Sequence, residues 1–154
     1  MKVRIKKLNE NAVIPYKAHE TDAGFDLVAT SVELDKNGCV VYGTGLAFEI
    51  PKGYVGLLFP RSSNAKKDLI LTNCVGVLDA GYRGEVLFKY KPSLLFIEED
   101  MVALASSLSD SRIYKVGDRV GQLIIMPLPV IEFEEASELS DTERGDGGYG
   151  SSGV

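Results

Sequence analysis

The chain has 154 residues, of which 45% are hydrophobic and 25% charged, with a formal net charge of −5. Those values fit one globular domain with a sizeable core, and the acidic balance argues against broad duplex binding, which needs a basic face. No apolar run approaches the roughly 18 residues of a membrane span, and the basic start MKVRIKKLNE has no apolar stretch behind it to make a signal peptide.

Strand signals begin at KVRIKKL, where Val3 and Ile5 alternate with charged neighbours. HETDAGFDLVA follows, a turn-rich stretch in which Asp22, Gly24 and Asp26 open a strand. GCVVYGTGLAFEIP and GYVGLLFP are short β-branched or aromatic runs bounded by Gly and Pro. LTNCVGVLDAGYRGEVLF reads as a β-hairpin with a polar interior, and GEVLFKYK continues as a strand. SLLFIEEDMVALASSLSDSR interrupts the series as a loop insertion, with a short helix expected over Glu98 to Leu108. RVGQLIIMPLPV and IEFEE are the last strand signals. Pro51, Pro60, Pro92, Pro127 and Pro129 stand at the ends of runs, where proline is tolerated. Many short strands without long helical periodicity predict an all-β sandwich or barrel.

Beyond Ile131 the chain turns acidic, at Glu132, Glu134, Glu135, Glu138, Asp141 and Glu143, and then glycine-rich. The expected organisation is a β-barrel body over residues 1–136 and a C-terminal arm over residues 137–154. From Ser137 to Tyr149 an extended chain reaches about 40 Å, against a radius of gyration of about 15 Å for a compact domain of this size. Such an arm can reach a neighbouring subunit.

Much chemistry is set aside by absence. His19 is the single histidine, with no second His or Cys at ligand spacing, so neither a zinc site nor a Ser-His-Asp triad is expected. Cys39 and Cys74 do not make a disulfide framework, and a reducing, cytoplasmic setting is expected. What remains is chemistry directed at an anion and a base. In FPRSSNAKK, Arg61 offers a forked donor beside the Ser62 and Ser63 hydroxyls. In the polar hairpin, the Asn73 amide can read the edge of a base. There the Tyr82 ring can pack under a sugar, and a buried Asp79 is a candidate general base. GDRVGQL presents Gln122 from a strand opened by the Gly117-Asp118 turn. RGDGGYGSSG contains a Gly-x-Gly-x-x-Gly spacing, but a dinucleotide fold needs a helix after it and the sequence stops four residues later. Two readings remain: a disordered tail, or a flexible phosphate-binding lid with Arg144, Ser151, Ser152 and backbone N–H groups for an anion and Tyr149 for stacking.

Taken in order, DAGFDL, PRSS, NCVGVLDAGYRGEV, GDRVGQL and RGDGGYGSSG resemble the five motifs of the homotrimeric dUTPase family, the deoxyuridine triphosphate nucleotidohydrolases. The likeness runs from Ala23 to Gly153, and the third and fifth motifs carry most of its specificity. It implies a distorted jelly-roll β-barrel, a homotrimer with sites at its interfaces, and conversion of dUTP to dUMP and pyrophosphate with Mg²⁺. No direct protein ligand to that ion is implied; it would arrive with the phosphates and water. The resemblance matches Asp79 to the base that activates water and Tyr82 to the ring under the deoxyribose. It matches Asn73 to the uracil reader. Arg61, Ser62, Ser63 and Gln122 fall on the phosphate side, and Asp26 supports the catalytic region. Arg144, Tyr149, Gly150, Ser151 and Ser152 match the closing arm. Many members have Gly and an apolar residue where this chain has Ser63 and Asn64, and a second Asp where it has Gly81. A dCTP deaminase on the same fold is the nearest alternative, but its hairpin carries a catalytic Glu and lacks the Asp79 context. A non-catalytic nucleotide binder is a further alternative, which the presence of Asp79 and the fifth motif disfavours.

Overall fold

The computed structural model of the chain describes residues 1–92 and 112–148. The helix expected over Glu98 to Leu108 lies outside them. Among the described residues, ten strands follow one another: β1 (Arg4–Lys7), β2 (Phe25–Val28), β3 (Ser31–Leu34), β4 (Val40–Gly43), β5 (Leu46–Glu49), β6 (Tyr54–Phe59), β7 (Leu69–Leu71), β8 (Gly76–Leu78), β9 (Leu87–Pro92) and β10 (Arg119–Pro127). One 3₁₀ turn, Ser62–Lys66, stands between β6 and β7. The strands form two four-stranded antiparallel sheets, ordered β2-β10-β6-β8 and β3-β4-β9-β7, and a β1-β5 pair. The all-β jelly-roll expectation therefore holds.

Alternation makes these strands. In β9, Phe88 and Tyr90 are fully buried while Leu87, Lys89 and Lys91 face out. The core lies between the sheets, with Leu27, Leu58, Leu78, Val120 and Leu123 from one and Val40, Tyr42, Leu69, Leu71, Phe88 and Tyr90 from the other. Each such side chain contributes about 1.5–3 kcal/mol by leaving water. The buried phenols are satisfied: the Tyr90 hydroxyl donates to Val120 O at 2.7 Å, and the Tyr42 hydroxyl accepts Tyr114 N–H at 3.1 Å. Burial pushes both phenols well above their ordinary range and keeps them neutral. No helix of the described residues is long and apolar enough to cross a membrane.

Three expectations change. LTNCVGVLDAGYRGEVLF is not a simple hairpin: its flanking strands β7 and β9 do pair antiparallel, but β8 between them leaves to pair with β6 in the other sheet. The polar stretch is thus a crossing between sheets. Asp26 sits within β2 rather than in the turn before it. IEFEE forms no strand, and Ile131 and Phe133 stand 64% and 98% exposed. Alternation alone does not make a ladder; a strand needs a partner for its N–H and C=O groups, and this segment pairs with none within the described chain.

Candidate active site

The anion-directed residues gather at one end of the β2-β10-β6 sheet. Asp26 on β2 stands opposite Gln122 on β10, and Gln122 stands opposite Phe59 on β6. Pro60 ends the β6 ladder, and Arg61 continues in extended backbone before the 3₁₀ turn. This register brings the guanidinium to the carboxylate. Arg61 Nε donates to Asp26 Oδ1 at 2.6 Å, and Arg119 Nη1 donates to Asp26 Oδ2 at 2.9 Å. Asp26 is only 8% exposed, so the pairing is nearly dry and the bonds are of the charge-assisted kind. Two guanidinium charges against one carboxylate leave a local positive excess, which suits an anion on an acidic protein. Arg61 Nη1 also donates to Ser63 Oγ at 3.1 Å, and Gln122 Nε2 donates to Pro60 O at 3.0 Å. Gly24 lies close against Gln122, whose amide would have to move to admit a Cβ there.

Arg119 was missed in the sequence reading. It lies inside GDRVGQL, where it resembles an ordinary solvated arginine at a strand start. The available signal was Asp26, an acidic side chain among the apolar residues of a strand, which needs a cationic partner when buried.

The second group lines a cleft of about 230 Å³ beneath the sheet crossing. Asn73, Asp79, Tyr82 and Glu85 form its polar lining, and Leu58, Leu78 and Val86 belong to its apolar wall. Cys74 takes a left-handed conformation, φ 57°, and turns the chain directly after Asn73. Tyr82 N–H donates to Asp79 O at 3.0 Å, closing the turn that carries Asp79. The Tyr82 hydroxyl donates to Glu85 O at 3.0 Å, and its ring occupies the space that a Cβ at Gly84 would need. The Glu85 carboxylate in turn accepts Gly45 N–H at 2.7 Å, so the tyrosine rests on a braced loop. Arg83 is folded back, its Nη1 donating to Ala80 O at 2.7 Å and Tyr82 O at 2.8 Å. Asp79 is exposed at the cleft, not buried as the sequence suggested.

The two groups do not meet within one chain. None of Asp26, Arg61, Ser62, Ser63 or Gln122 lines the cleft. β8 runs antiparallel to β6, with Leu78 opposite Gly56. Asp79 therefore leaves the sheet at the level of Val55, while Arg61 lies two residues beyond the other end of β6, a separation of about 20 Å at strand rise. Arg144 bonds within its own turn, Nε donating to Gly147 O at 2.9 Å, and residues 128–146 are exposed. Tyr149, Gly150, Ser151 and Ser152 lie outside the described residues. His19 is exposed in a turn, its N–H donating to Asp22 Oδ2 at 2.9 Å. Among the described residues, no three His, Cys, Asp or Glu side chains are placed to hold a metal ion.

Comparison with known proteins converges. The family model described as dUTPase matches residues 10–93 and 98–153. The chain is 39% identical to a deoxyuridine 5'-triphosphate nucleotidohydrolase of Rhodococcus erythropolis, covering 99% of this chain and 87% of that protein. It is also 39% identical to the protein of that name from Nautilia profundicola, over 99% of both chains. Among solved structures it is similar to a mutant dUTPase of Staphylococcus bacteriophage 80alpha with dUpNHpp, at 30% identity, TM-score 0.80 and 99% coverage of both chains. A mutant dUTPase of the S. aureus phage phi11, described with a structural Mg(II) ion, matches at 28% identity and TM-score 0.71, covering 90% of this chain and 98% of that one.

Proposed function

Because the chain belongs to the dUTPase family, we propose that it hydrolyses dUTP to dUMP and pyrophosphate, with the Asn73–Asp79–Tyr82 cleft as the seat of the nucleoside. The observation that carries this reading is the cleft itself, which joins an amide, a carboxylate and an aromatic ring around one opening. The Asn73 amide has both a donor and an acceptor for the polar edge of uracil. The Tyr82 ring, held by its hydroxyl bond to Glu85 O, packs under the deoxyribose and leaves no room for a 2′-hydroxyl. Asp79 takes a proton from the attacking water. The water oxygen forms a bond to the α-phosphorus, the bond from that phosphorus to the α,β-bridging oxygen breaks, and pyrophosphate leaves with the electron pair. The reaction lowers dUTP, which prevents uracil entry into DNA, and supplies dUMP for dTMP synthesis.

Arg61, Ser62, Ser63 and Gln122 are assigned to the phosphates, with Asp26 holding Arg61 in place. Since none of these residues lines the cleft that holds Asp79, one chain does not complete a site. A homotrimer resolves this: the cleft of one subunit faces the Arg61 cluster of another. The body over residues 1–136 supplies both surfaces. The arm over residues 137–154 closes a neighbour's site, with Arg144, Ser151, Ser152 and Gly150 on phosphate and Tyr149 on uracil. Its approach already presents Val130, Phe133 and Leu139 at 96%, 98% and 89% exposure, apolar surface of the kind that a second subunit would cover.

Mg²⁺ is the assigned cofactor. The donor set suits an ion whose shell is phosphate oxygen and water, since the described residues form no carboxylate cage. When bound, it would neutralise triphosphate charge; no residue is assigned to it. The test is a panel of deoxynucleoside triphosphates with Mg²⁺, scored for pyrophosphate. Release from dUTP alone is expected. Ammonia from dCTP, or turnover of none, would overturn the reading.

A further inference from the structure

Tyr114 has two attachments that serve different ends. Its ring is core: it is 3% exposed and packs against Tyr42 and Tyr90 with ring centroids 5.9 Å away in each case. Its hydroxyl leaves the core and donates to Asn64 Oδ1 at 3.2 Å. Burial raises the phenol above its ordinary range, opposed by the neighbouring Ser63 side chain and the Arg61 charge, so the group is a neutral hydroxyl facing the 3₁₀ turn.

That turn has little of its own to hold it. Ser62–Lys66 contains no buried residue, and no side chain caps its start. Its fixings come from the segment bearing Tyr114 and from β7. Asn64 Nδ2 donates to Leu69 O at 2.8 Å, Lys67 Nζ donates to Ile113 O at 2.9 Å and lies 5.2 Å from the Tyr114 ring centroid, and Asp68 N–H donates to Arg112 O at 3.1 Å. Asn64 N–H donates to Arg61 O at 2.9 Å, and Arg61 continues through Nη1 to Ser63 Oγ at 3.1 Å and through Nε to Asp26. A line of contacts thus runs from the aromatic core through Asn64 to Arg61. Asn64, one of the two residues that depart from the family pattern, is the one that engages the hydroxyl.

We propose that Tyr114 is a positioning residue, whose hydroxyl sets the Ser62–Lys66 turn, through Asn64, so that Arg61 and Ser62 meet the substrate phosphates. The proposal rests on the assignment of Arg61 and Ser62 to phosphate. Tyr114→Phe removes the hydroxyl and keeps the ring, leaving Tyr114 N–H and its bond to Tyr42 intact. The expected result is about a five-fold rise in KM for dUTP, the net worth of one hydrogen bond, with kcat changed by no more than about two-fold. In an Asn64→Leu background the same substitution should leave KM unmoved, because the hydroxyl has lost its partner. If that variant does not fold, Asn64→Ala serves, and the KM effect of Tyr114→Phe should likewise vanish. A lower melting temperature with unchanged KM, or KM effects that simply multiply across the variants, would overturn the proposal. Arg61→Lys is the separate control: an unchanged KM there would remove the phosphate assignment itself.

Discussion

Asp26→Asn removes one charge and little volume at the junction of two guanidiniums. The carboxylate accepts Arg61 Nε on one oxygen and Arg119 Nη1 on the other, at 2.6 and 2.9 Å. An asparagine amide has one oxygen, so one arginine N–H must face an NH₂ group. Losing one charge-assisted bond costs about 1.5–3 kcal/mol. The surviving bond weakens to an ordinary one, roughly half as strong. Arg119 is 39% exposed against 22% for Arg61, so Arg119 turns to water more easily and recovers part of the loss. The sum is about 2–4 kcal/mol, or a melting temperature lower by about 5–12 °C for a chain of this length. Activity should fall further than stability alone requires, because Arg61 is no longer aimed; a loss of about 10- to 100-fold in kcat/KM is expected. Thermal unfolding followed by circular dichroism, with steady-state pyrophosphate release below the transition, measures both. A melting temperature and kcat/KM equal to those of the parent chain would refute the reasoning. A lower melting temperature with normal kcat/KM would leave Asp26 a structural residue only.

Gly121→Ala should destabilise by about 1–3 kcal/mol, because the new Cβ would strike the fully buried Phe88 ring; chemical unfolding checks this, and a neutral variant would contradict the packing. Asp35 accepts Lys89 Nζ at 2.8 Å and the Asn37 and Cys39 N–H groups, and these bonds, led by that to Lys89, lower its pKa from 3.8 to about 2. The stabilisation is therefore present above pH 3.8 and is lost as pH falls through about 2. Asp35→Asn should melt lower than the parent at neutral pH, with the gap closing in that window; a gap constant from pH 7 to 2 would contradict the pairing.

Most strands were legible because their burial alternates with a period that the sequence displays directly, as Phe88 and Tyr90 do in β9. Partner choice was not. The polar stretch looked like a hairpin because two apolar runs flank it, and these runs, β7 and β9, do pair, but the departure of β8 to the other sheet shows only in the register. IEFEE carries strand periodicity without a partner in its own chain. Asn73, Asp79 and Tyr82 were found together in sequence and share one cleft. Arg61, Gln122 and Asp26 were also found, but that Asp26 is shared between Arg61 and Arg119 depends on residues 93 positions apart. The exposure of Asp79 was misjudged for a related reason. Nearness in sequence located one wall of a site, and the opposite wall is assigned to another copy.

The central claim is that Asp79 of one subunit works with the arm of another. Two inactive chains test it most directly: full-length Asp79→Asn, whose turnover should be about 100- to 10,000-fold lower, and a wild-type body ending at residue 143. They are mixed, unfolded and refolded together, and assayed for pyrophosphate release from dUTP. Recovery of turnover well above either protein alone is predicted, since an intact arm from one chain closes over an intact Asp79 of the other. A mixture no more active than its two components would contradict the account.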